Sequence, residues 1–151
     1  MTDLTALLER VRAATGADRE IDAALMAQSY AQEERHIGAV MEYSDGSEER
    51  VKDLVWVDPK TDKWVSTAAH SYTASIDAAL ALIERMLPGW VVDDLSQNSR
   101  LAGDPWGCQL GLYHGTNPSK NMQALSGHDF PTAPLAILAA TLSALIAQAQ
   151  P

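Results

Sequence analysis

The feature that most constrains this chain is its last stretch, Ala133 to Gln150, which contains no charged residue at all. A segment like that has to be hidden from water. Thr141, Ser143, Gln148 and Gln150 interrupt its apolar run, and it falls short of the ~20 mostly apolar residues a membrane span requires, so a buried core helix is expected. Thr132 stands as its cap and Pro134 in its first turn. Leu135, Leu138, Leu142 and Leu145 form its apolar line.

The rest of the chain is built to enclose such a helix. At 151 residues it has the usual size of one domain, and one domain over residues 1–151 is expected. Leu4, Leu7, Leu8, Val11 and Ala14 recur at helical spacing, with Gly16 as a stop. Asp18 caps a second short helix running to about Ala27, with Glu20 and Asp22 near its positive end. Gln32 to Arg35 reads as charged surface. From Ile37 the period becomes two, and Asp45-Gly46 supplies a turn. Val51 to Val57 returns, and Asp58 to Asp62 turns again into Trp64-Val65, which gives a three-stranded meander.

Ser75 then caps a helix whose expected stripe is Ile76, Ala79, Leu80, Ile83, Met86 and Leu87, ended by Pro88-Gly89. Trp90 to Leu95 and Trp106 to Tyr113 read as two more strands, the second carrying Trp106, Cys108, Leu110 and Leu112 on one face. The expected fold is therefore α+β: a mainly antiparallel sheet of about five strands covered by about three to four helices, in the manner of an α-β-α sandwich with helices on both faces.

Charge narrows the partners. Eleven Lys and Arg face twenty Asp and Glu, a formal charge of −9, so direct nucleic-acid binding is not expected and a basic protein is the natural macromolecular partner. With Cys108 as the single cysteine no internal disulfide can form, and the opening MTDLTALLER lacks a secretory pattern, so a reducing cytoplasm is expected, with no membrane attachment. His36, His70, His114 and His128 never stand at i, i+4, so neither a metal nor a cofactor is called for. Cys108 lies on an apolar strand face and reads as packing, not as a nucleophile. No nucleophile elbow, Walker A loop or dinucleotide fingerprint is present, so no catalytic residue is assigned.

Two segments remain as candidate binding elements. His114 to Phe130 is long for a connection and offers His114, Asn117, Ser119, Lys120 and His128 as donors to an anion. Ser71 to Ser75 leads into a helix N-terminus, where Tyr72 and Ser75 stand near free backbone N–H groups. A pocket for a small nucleotide-like signal would also need some of Arg50, Lys52, Arg100 or Lys120 turned inward.

The segments Ala14 to Asp22, Tyr72 to Asp77 and Thr132 to Ala136 together resemble small uncharacterised phage and prophage proteins of the phage α-β-α sandwich type. That resemblance rests on caps and core stripes. It implies a phage or prophage accessory protein acting in the bacterial host cytoplasm, without catalysis, on a host protein or a small anionic signal, for example to counter a bacterial defence. The alternatives are a small hydrolase or nucleotide-modifying enzyme using His114, His128 or Asp129, and a virion structural or assembly protein, for which a symmetric homo-oligomer would be the sign.

Overall fold

The computed structural model describes residues 3–150. Four helices and six strands follow in the order α1 (Leu4–Ala13), α2 (Arg19–Met26), β1 (Ala31–Glu42), β2 (Glu48–Asp58), β3 (Lys63–Ser66), α3 (Ile76–Met86), β4 (Val91–Gln97), β5 (Trp106–Leu112), β6 (Met122–Leu125) and α4 (Ala133–Ala149).

Each helix begins where a side chain can accept from its free N–H groups. Asp3 accepts from Thr5, Asp18 from Glu20 and Ile21, Ser75 from Ala78, and Thr132 from Leu135. The last helix lies at the centre: α4 packs on β4, β5 and β6 along one side and on α1 and α3 along the others. Ala133 to Leu142 and Ala144 are all buried, which is why the segment is apolar around its whole circumference. Its hydroxyls are accommodated inside the helix. Thr141 Oγ1 donates to the Ile137 carbonyl at 2.7 Å and Ser143 Oγ to that of Ala139 at 2.8 Å, so neither needs an outside partner.

The strands form two separate antiparallel sheets of three, β1-β2-β3 and β4-β5-β6, where the sequence suggests one sheet of about five. The additional strand is β6, a four-residue piece inside the stretch read as loop. Ala124 is its only fully buried side chain, so the strand leaves almost no hydrophobic pattern. Helices do not cover both faces either: α4 covers one face of β4-β5-β6, while the other, with Gln109, Gln123 and the exposed Val91 and Leu125, is left without a helix. The α3 stripe is also rotated from expectation. Ala79, Leu82 and Ile83 are buried with Leu87, whereas Ile76 is exposed.

The two segments Ala14 to Asp22 and Tyr72 to Asp77 meet in space. Asp22, fully buried, accepts from the Thr73 backbone N–H at 2.7 Å and from Thr73 Oγ1 at 2.9 Å. Its other oxygen takes Arg19 at 2.8 Å, and Thr73 Oγ1 in turn accepts from the Asp18 N–H at 2.8 Å. A cap, a helix and the turn before α3 are thereby locked together.

Candidate binding surface

The stretch from His114 to Phe130 is more structured than its composition suggests. Pro118–Lys120 forms a 3-10 turn, β6 follows, and Phe130 bridges to Trp106. Within it two asparagine side-chain oxygens act as acceptors. Asn121 Oδ1 accepts from the His114 backbone N–H at 2.7 Å, and Asn117 Oδ1 accepts from Ser119 Oγ at 2.6 Å. Lys120 is exposed at the end of the turn.

His128 lies apart from this group. Its ring rests on Gly107 of β5, where a Cβ would come within 2.6 Å of it, and its Nε2 is 3.2 Å from Ser96 Oγ. Ser96 also contacts Asp94 at 2.7 Å, so the serine sits between acid and imidazole, the reverse of the order in which a histidine activates a hydroxyl. His114, His128 and Asp129 share no hydrogen bond with one another.

The other two candidates are held by local structure. Tyr72 is buried, with its hydroxyl 3.4 Å from His70 Nδ1, and burial pushes its phenol up to about 12. Ser75 Oγ is occupied as the α3 cap. Cys108 is buried too, which pushes its thiol up to about 12 and disfavours the thiolate a nucleophile needs. Among the described residues there is no cluster of three or more metal-ligating side chains, and no helix long and apolar enough to cross a membrane.

A different surface emerges from β1 and β2. The 12-residue β1 runs for about 40 Å, and neither it nor the outer two-thirds of β2 is covered by a helix or by the other sheet. We call this sheet the arm. Gln32 to Arg35, read from sequence as plain surface, is the start of β1, and its charges are tolerated because both faces meet water.

At its base the arm is anchored. Val55, Trp56 and Val57 are buried, Trp56 within the main core. Arg85 of α3 stacks 3.8 Å above the Tyr30 ring, donates to the Ser29 hydroxyl at 3.0 Å and carbonyl at 2.9 Å, and meets Asp58 at 3.1 Å. That guanidinium, with the Lys60 N–H, holds the Asp58 carboxyl below its usual range. Halfway up, Arg35 ties Glu33 to Asp62 of the second turn, and these acids raise its own pKa, Asp62 first.

Towards the tip, Val40, Met41 and Tyr43 are about half exposed, at 54, 52 and 46%. Glu42, Asp45, Glu48 and Glu49 stand among them. The Tyr43 hydroxyl donates to Glu49 at 2.7 Å, which raises its pKa, and Asp45 accepts from Ser47 to shape the turn. Met41, Tyr43 and Glu49 line a shallow groove of about 320 Å³ that continues to Lys52.

Sequence reasoning underweighted the arm because its signal is negative. The period of two from Ile37 and the turn at Asp45-Gly46 marked a hairpin, but a strand pair without a buried face gives no sign that it stands clear of the core. Neither a known family's sequence pattern, nor a curated protein, nor a solved structure matches this chain.

Proposed function

We propose that this is a non-enzymatic binding protein that docks the tip of its arm, Met41 to Glu49, on a basic surface of another protein. One observation carries the reading: a long sheet projects from the core with both faces in water, and its end combines half-exposed Met41 and Tyr43 with Glu42, Asp45, Glu48 and Glu49. Two strands without a covered face contribute little to folding, so such an arm needs a different reason to exist. Exposed aromatic and methionine side chains are typical interface anchors, and the surrounding acids favour a cationic partner and speed its approach. The resemblance to phage accessory proteins implies a protein of the bacterial host.

The test places a photo-crosslinking side chain at Met41, identifies the protein captured in host cells, and measures its affinity for the purified chain. A tip-less variant joins Val40 to Arg50, which face each other in the register, through Asn-Gly. The reading expects a captured protein with a basic contact surface, affinity that falls steeply with salt, and loss of binding in the tip-less variant at an unchanged melting temperature. Undiminished binding by that variant, or capture from positions outside the arm alone, refutes it.

A further inference from the structure

Below the tip, the regular pairing of β1 with β2 breaks. His36 faces Lys52 and Val40 faces Arg50, so Ile37, Gly38 and Ala39 together stand against Val51 alone. Gly38 takes φ +83, a left-handed conformation that suits glycine, and nothing lies within 4 Å of where its Cβ would be. This bulge opens a hollow of about 380 Å³ lined by His36, Gly38, Ala39, Val40 and Arg50. Bulges of this kind re-aim side chains and recur beside functional sites.

The same register gathers two cations and an imidazole. His36 and Lys52 are cross-strand neighbours, and Arg50 lies two residues from Lys52 on the same face of β2. Carboxylates are abundant in this chain, and Arg10, Arg12, Arg19, Arg35 and Arg85 each meet one. Among the described residues, Arg50, Lys52 and His36 form no ion pair, and no side-chain hydrogen bond engages them. Glu49 beside them accepts from Tyr43, while Glu34, two residues from His36, and Glu48, two residues from Arg50, bound the cationic stretch at its two ends. That arrangement suits one oxyanion group and not a polyphosphate or a nucleic-acid backbone.

We propose that the bulge hollow binds a small organic phosphate of about mononucleotide size. From the hollow's lining Arg50 presents its planar fork to the phosphate oxygens, His36 adds an N–H donor, and Ala39 with Val40 gives the organic part an apolar wall, while Lys52, cross-strand from His36 and lining the adjoining groove, adds its charge from the rim. The hollow's volume falls within the ~300–1,000 Å³ of small-molecule sites. This inference does not depend on the protein-docking reading, and the tip-less variant retains Val40 and Arg50.

The experiment follows backbone amide signals of the full chain by NMR while titrating inorganic phosphate, adenosine 5′-monophosphate and adenosine in turn. The monophosphate is expected to bind tightest, with shifts concentrated at residues 36–40 and 50–52, inorganic phosphate more weakly at the same residues, and adenosine at least ten-fold more weakly. Arg50→Gln should weaken the monophosphate at least ten-fold and Arg50→Lys by less, because lysine keeps the charge without the fork. Lys120→Gln should change nothing. Equal binding of adenosine and its monophosphate would overturn the proposal, as would shifts spread evenly over Lys60, Lys63, Arg100 and Lys120. Inorganic phosphate binding as tightly as the monophosphate would overturn the organic part of it.

Discussion

Replacing Asp22 with alanine tests whether the buried carboxylate holds α2 to the turn before α3. Asp22 has no exposed surface, and its Oδ1 is the acceptor for both the backbone N–H and the hydroxyl of Thr73, at 2.7 and 2.9 Å. In the variant the Thr73 hydroxyl can still reach the Asp18 carbonyl at 3.2 Å, and Arg19 keeps the Ser71 hydroxyl and the Ala69 carbonyl. The buried Thr73 N–H has no such alternative. Losing a hydrogen bond to a charged acceptor costs ~1.5–3 kcal/mol, and leaving a buried donor unpaired adds ~1–3 kcal/mol, so a total of ~2.5–6 kcal/mol is expected. For a domain of this size that lowers the melting temperature by about 5–24 °C. Asp22→Asn, which keeps an acceptor oxygen in place, should lose clearly less. Urea unfolding of both variants, with unchanged slopes, gives the two values. An Asp22→Ala cost below ~1 kcal/mol would refute the interlock as a stabilising element.

Further expectations follow from the same contacts. Leu138→Ala, at a position with no exposure on the central helix, should cost ~2–5 kcal/mol in calorimetry or urea unfolding, near the top of that range if neighbouring helices do not close the cavity. Cys108 should resist alkylation in the native protein at mildly alkaline pH and react once the chain is unfolded. Its raised pKa means the unfolded chain loses the thiol proton first, so the parent should lose stability relative to Cys108→Ala as pH rises from the ordinary thiol range towards about 12. Arg85→Met should lower the melting temperature by several degrees and return the Asp58 carboxyl towards its usual range, seen by NMR titration. Because Asp58 is depressed in the folded protein, its contribution is present at neutral pH and fades as pH falls through the carboxyl range, so the gap between parent and Arg85→Met should narrow in acid.

Much of the fold was legible because local rules govern it. The caps at Asp18, Ser75 and Thr132, the turn at Asp45-Gly46 and the face shared by Trp106, Cys108, Leu110 and Leu112 all appear as the residues imply. The stretch from His114 to His128 was legible as polar, but nothing local showed that the Asn117 and Asn121 carbonyl oxygens would accept from Ser119 and from the His114 backbone. Asp22 looked like a residue placed for the helix dipole. Its role as a buried acceptor depends on Thr73, more than fifty positions away.

The sequence alone determined that an uncharged C-terminal helix must be enclosed, where the four helices lie and where five of the six strands run, since periodicity and capping act over a few residues. Tertiary structure decided which strands pair, and so divided six strands into two sheets and left β1 and β2 projecting from the core. It also decided what two glycines do. Gly38 opens the bulge that brings Arg50 beside His36, and Gly107 makes room for the His128 ring. Those outcomes depend on which distant segment arrives opposite a given residue, and strand register is set by turns and buried faces acting together across the chain.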